Sequence, residues 1–273
     1  MSLFWLRVTL ALYSLGLLHA LLTVITRRPR LFRYALGSIS LGAVFHLVSI
    51  VEEGLGRGRL PVAIFTEAVS FLAFLITVLF LLVYWRYQFQ ALSVFVFPLV
   101  FMLTLWAAIG PERPPVEDPL LRSAWLYAHA TLFFLGYAML FVTFVAGLMY
   151  LLQERELKRK TRRAFYHRLP ALEAIDDLAH KTLAIGFPFI TLGIITGAVF
   201  AGAKMGVKTG AGWALDPKVA WSFVTWIIYL GLIFSRWTAG WRGRKAAYFA
   251  IAGFFAVVVT WGASGNLHSF MSR

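Results

Sequence analysis

Long apolar runs, broken by short basic, acidic or aromatic islands, repeat along the whole chain. At the ~20 residues a helix needs to cross a bilayer, they predict helices over about 3–25, 34–51, 62–85, 91–110, 124–152, 180–203, 219–236 and 246–265. No single run dominates. The expectation is an all-α, polytopic membrane bundle of about eight transmembrane helices, forming one transmembrane domain over 1–273. The first run outlasts the ~7–15 apolar residues of a signal peptide, has only Arg7 near its start and lacks a small-residue cleavage site after it, so it should remain as a span.

The islands alternate in charge. Arg27, Arg28, Arg30 and Arg33 follow the first run, Arg86 the third, a group from Arg155 to Arg168 the fifth, and Arg242, Arg244 and Lys245 the seventh. The positive-inside rule puts these loops in the cytoplasm. The intervening loops carry Glu52, Glu53, Glu112, Glu117, Asp118 and Asp216 and face outward, as do both termini. The longest polar stretch, roughly 153–179, begins as a basic extension of the fifth helix and breaks at Pro170. It resumes as the amphipathic turn Leu172–Leu178, expected at the inner surface.

Composition narrows the classes. With 60% hydrophobic residues and a mean hydropathy of +0.76, the chain of 273 residues is too apolar for a soluble globule. The absence of cysteine excludes a CxxC reductase, a thiolate zinc site and an iron–sulfur cluster. The net charge of +14 reflects topology-setting loops, so nucleic acid is not an expected partner and the lipid bilayer is.

One outward island differs from the rest. Gly212 to Trp221 sets Trp213 and Trp221 around Asp216-Pro217-Lys218, between two spans. His129, early in the fifth run, and His268, just past the last, belong to the same membrane face. On the fifth helix Trp125, His129, Leu132 and Gly136 recur at i, i+4, i+7 and i+11, so one face carries the imidazole above a missing side chain. Two imidazoles beside an aromatic shelf suit a flat metal-centred ligand, and His is a usual axial ligand of haem iron. Lys218, Arg122, Arg57 and Arg59 are outer cations able to pair with propionates. The plainer alternative makes Trp213 and Trp221 an interfacial belt. His19, on the inner side, and His46, in the outer half of the second run, could each simply hydrogen-bond a neighbour.

The chain resembles the CcsA/ResC/HemX branch of the cytochrome c assembly proteins, relatives of the CcmC-type haem handlers. That family carries an outward loop of the form WGxxWxWDPKE-x-W flanked by two haem-ligating histidines. Trp213, Asp216, Pro217, Lys218 and Trp221 match the loop, and Phe223, Thr225, Trp226 and Tyr229 continue the match. Leu192–Val199 looks like the segment entering the loop, Trp125–His129 with Gly136-Tyr137-Ala138 like the helix of the first histidine, and Asn266–Ser269 like that of the second. Gly58–Pro61 and Glu67 resemble the segment before helix three.

The resemblance implies haem b (iron protoporphyrin IX) ligated by His129 and His268, with Trp213, Asp216, Lys218, Trp221 and Gly136 around it. It also implies a bacterial cytoplasmic (inner) membrane location, with apocytochrome c and a CcsB/ResB-like membrane protein as partners. Departures from the fullest pattern are Thr209, Leu215 and Val219 in the loop, and Phe234 where full cytochrome c synthases have a histidine. They look more like the HemX-type branch, so control of haem biosynthesis enzymes stands as a rival role. Two other classes remain open. One is a secondary transporter, although a midplane carboxylate cluster and an inverted repeat are lacking. The other is a b-type cytochrome subunit using His19 and His46.

Overall fold

The computed structural model describes residues 1–26, 28–110, 122–159, 169–204 and 216–262. Every regular element among them is helical. The α-helices are α1 (Ser2–Thr26), α2 (Leu31–Arg57), α3 (Phe65–Tyr87), α4 (Ser93–Ile109), α5 (Ala124–Arg159), α6 (Leu172–Lys204), α7 (Pro217–Thr238) and α8 (Arg244–Gly262). All eight are long and apolar enough to cross a membrane. The protein is a multi-pass membrane helical bundle, as its apolar pattern predicts. The helices gather into two compact units, one built from α1–α4 and the other from α5–α8.

In the first unit α1 packs on α2 and α4, and α3 on α4 and α2. With hydrocarbon on all sides there is little hydrophobic drive between helices, so close approach and interhelical hydrogen bonds carry the packing. Gly42 of α2 shows the close approach, since a Cβ there would come 2.6 Å from the ring of Tyr13. Tyr13 sends its hydroxyl to Nδ1 of the fully buried His46 at 3.2 Å, and Nε2 of His46 meets Ser70 Oγ of α3 at 2.9 Å. Both nitrogens of His46 are thus engaged in tying α1, α2 and α3 together. His19 bonds Leu15 O, one turn back, at 2.7 Å. These are the plainer roles for both histidines, and with both nitrogens engaged His46 is taken away from the electron-carrier reading.

Acidic and basic residues at the α2–α3 corner form a closed ion-pair group. Arg59 donates from Nη1 and Nη2 to Oε2 and Oε1 of Glu67 at 2.8 and 2.9 Å. Arg57 reaches Glu67 Oε1 at 3.1 Å and Glu53 Oε1 at 3.0 Å. The same Glu67 sits in the first turn of α3 and accepts from the backbone N–H of Ala63 and Ile64, satisfying donors that the helix start leaves open. This network lets α2 run on to Arg57 instead of stopping near residue 51. It also corrects the expectation that Arg57 and Arg59 are held for propionates: their guanidinium groups are committed to carboxylates.

The second unit is a four-helix ring in which α5 packs on α6 and α8, and α7 on α8 and α6. Its organising feature is an antiparallel seam between α5 and α6, where a large side chain on one helix meets a small residue on the other. Descending α5, His129 lies on Gly197, Phe133 on Gly193, and Gly136 under Ile190, with Met139 on Gly186. The seam closes at a Thr143–Thr182 hydroxyl pair, 2.9 Å apart. At the opposite end from His129, Asp176 pairs with Arg236 of α7 at 2.8 Å and accepts from the backbone N–H of Gly243 at 3.1 Å, joining α6, α7 and the start of α8. Leu172–Leu178 is therefore the start of α6 and not a separate turn. Its Ile175 and Leu178 are buried inside the unit, because Asp176 has a cation to meet there.

Candidate functional site

An up-and-down ring brings the starts of α5 and α7 and the ends of α6 and α8 to one end of the second unit. His129 lies there, in the second turn of α5. Its Nδ1 is 2.9 Å from the carbonyl oxygen of Gly193. A carbonyl only accepts, so Nδ1 carries a proton, and in the neutral ring Nε2 is then the nitrogen with the in-plane lone pair. That is the tautomer an imidazole needs to bind a metal through Nε2. The ring is set edge-on to Phe133, with centroids 5.0 Å apart. One turn earlier, Trp125 donates its indole N–H to Thr196 O at 2.8 Å. Two successive α5 side chains therefore anchor on one turn of α6.

Gly136 does not leave the space expected beneath His129. A Cβ there would fall 2.5 Å from Cδ1 of Ile190 and 3.2 Å from its backbone nitrogen. The missing side chain admits α6, not a macrocycle. Reading one helix face in isolation could not show which neighbour fills the gap.

At the start of α7, Asp216 is 3% exposed and caps the helix. Its Oδ1 accepts from the backbone N–H of Lys218 and Val219 at 2.9 and 3.3 Å, with Pro217 at the first helical position. Asp-Pro-Lys is thus a helix-start motif that fixes where α7 begins. We expect Asp216→Ala to cost about 0.5–2 kcal/mol, read as a lowered melting temperature in detergent, while Asp216→Asn stays close to wild type. An Asn variant as unstable as the Ala variant would show that the charge, not the cap, matters.

Lys218 lies in the first turn of α7 and is half-buried, and Trp221 follows it with 38% of its surface exposed. Arg122 is exposed. Trp213 and His268 lie outside the described residues. Among the described residues, no group of three or more His, Asp or Glu side chains is arranged to hold a metal ion.

Several contributors are not evident from the residue types alone. Trp226 of α7 donates its indole N–H to Thr191 Oγ1 of α6 at 3.0 Å and stacks on Phe187. From α8, Trp261 meets Phe134 and Tyr137 of α5 edge-on. Gly193 and Gly197 seat Phe133 and His129. Their signal is glycine spacing along α6, legible only once α5 is known to lie against it.

Fold and site together define a polytopic membrane protein with an oriented imidazole, His129, at one end of a four-helix unit. The cytochrome c assembly protein family matches residues 62–263, and the chain belongs to it. Its relatives include proteins named cytochrome c biogenesis protein CcsA. That of Heterosigma akashiwo is 27% identical over 234 residues, covering 73% of this chain and 71% of the relative. That of Chlamydomonas reinhardtii is 30% identical over 207 residues, covering 73% and 56%. That of Guillardia theta is 26% identical over 275 residues, covering 93% and 86%.

Proposed function

We propose that this chain handles haem for cytochrome c assembly, holding haem b as cargo at an outward-facing site ligated by His129 and His268 beneath the loop from Trp213 to Trp221. The observation that carries the reading is the Nδ1–Gly193 hydrogen bond, which presets His129 as an Nε2 ligand. Trp221 and Lys218, on the first turns of α7, supply an indole face and a cation at the membrane boundary. Asp216 acts through the helix start, and Gly136 through the α5–α6 seam. The alternation of basic and acidic loops supports an orientation with both termini outside, which we place in a bacterial cytoplasmic membrane. The whole chain, 1–273, then works as one transmembrane domain, with apocytochrome c and a CcsB/ResB-like membrane protein as partners.

A HemX-like role in controlling haem biosynthesis is the second reading. It is favoured by Phe234, which replaces the intramembrane histidine of full synthases and is 63% exposed. Deletion of the gene separates the two. Assembly predicts loss of covalently bound haem in c-type cytochromes, seen by haem staining of membrane and secreted fractions. Normal c-type cytochromes with altered levels of early tetrapyrrole enzymes would replace the assembly reading with the regulatory one.

A further inference from the structure

Gly193, Thr196 and Gly197 form one turn of α6, and this turn decides how His129 is presented. The Gly193 carbonyl takes the Nδ1 proton at 2.9 Å. Gly197 lies flat against the ring: a Cβ there would fall 2.6 Å from Cε1 and 2.8 Å from Nδ1. The ring has little room to retreat, because Phe133 meets it edge-on and itself rests on Gly193. A third feature modulates the bond. The one proton of the Thr196 hydroxyl is shared between this same Gly193 oxygen, 2.9 Å away, and Leu192 O at 2.8 Å, so Thr196 competes in part with the imidazole for the Gly193 acceptor.

We infer that the Gly193–Gly197 turn is the positioning element of the His129 ligand, with Gly193 fixing its tautomer, Gly197 its seat and the Thr196 hydroxyl its donor strength. This rests on the reading of His129 as a haem ligand. A proton held on Nδ1 keeps Nε2 unprotonated and raises its basicity, and a more basic imidazole favours ferric over ferrous iron. Displacing the ring from the carbonyl admits the other tautomer, whose Nε2 carries the proton and cannot ligate. Removing the Thr196 hydroxyl does the reverse, since the carbonyl is left more fully to His129.

Two variants with effects of opposite sign test this. Gly197→Ala should weaken haem affinity by about 10–100-fold, the usual cost of losing a ligand's outer partner, and raise the reduction potential of the haem that remains. In haem-free protein, nitrogen NMR of the His129 ring should show the Nδ1–H tautomer giving way to a mixture. Thr196→Val should keep that tautomer, hold haem at least as well as wild type and lower the potential. Loss of packing alone would not move the two potentials in opposite directions. If Gly197→Ala fails to fold, the Thr196→Val potential and ring spectrum decide the matter.

Wild-type haem affinity, potential and ring spectrum in Gly197→Ala, alongside haem loss in His129→Gly, would overturn the positioning role and leave the haem reading standing. Unchanged haem in His129→Gly would overturn both.

Discussion

His129→Gly should strip the purified protein of most of its haem, and imidazole added to the buffer should return part of it. The size of the effect follows from what the residue does. Losing the outer partner of a metal ligand costs about 10–100-fold in affinity, so losing the ligand itself should cost at least the upper end of that range. Glycine at a helix position adds only about 1 kcal/mol of backbone cost, and His129 is in the second turn of a 36-residue helix, so insertion and folding should survive. The vacancy is a shaped one. Gly197, Phe133 and the Gly193 carbonyl still outline a planar slot with a hydrogen-bond acceptor at one edge. A soluble imidazole can enter it with its N–H on that carbonyl. The measurements are haem per protein by pyridine haemochrome and the visible spectrum, with and without imidazole. His268→Gly should behave alike if the two residues share one iron. Wild-type haem content and an unchanged spectrum in both variants would rule the site out.

The apolar pattern was enough to read eight membrane helices, because a bilayer leaves the backbone no alternative but to satisfy its polar groups within each span. Helix ends were less legible. α2 runs past Val51 because Glu53 and Arg57 are drawn into the group around Glu67. α6 begins at Leu172 because Asp176 finds Arg236, 60 residues away in sequence. Glu53 and Arg57 are spaced i,i+4, but the link to Glu67 and the one from Asp176 to Arg236 leave no local trace. The same limit explains the site. His129 and Asp216 stand out as residue types, but Asp216 caps a helix that starts at Pro217, not near residue 219 as the apolar run alone suggests. Which partner takes the imidazole proton was not readable, because the acceptor is a backbone carbonyl of a glycine. Gly136 misled for a related reason: a missing side chain marks a close approach, and only the facing helix tells whether a ligand or Ile190 makes it.

Glu67→Gln should produce a large loss of stability in the first unit. Glu67 is 3% exposed and accepts from Arg59, Arg57 and two backbone N–H groups. Arg59, with a side chain 5% exposed, has no access to bulk water as compensation. Removing one partner of a buried pair leaves an uncompensated charge, at a cost of about 3–5 kcal/mol. An exposed pair such as Lys158–Glu154 would cost about 0–1 kcal/mol. Glutamine preserves volume and keeps one oxygen for the Ala63 N–H, so the variant isolates the charge. Its amide also turns a donor toward Arg59. The measurement is reversible unfolding in mixed micelles, with the Glu67→Leu and Arg59→Leu single variants and the Glu67→Leu, Arg59→Leu double variant forming a mutant cycle beside it. Because desolvating both ions offsets much of their attraction, the double variant should be less destabilised than the sum of the two singles. A loss below about 1 kcal/mol for Glu67→Gln would mean that water reaches the pair, and the corner would then be an exposed ion-pair group with little hold on α2 and α3.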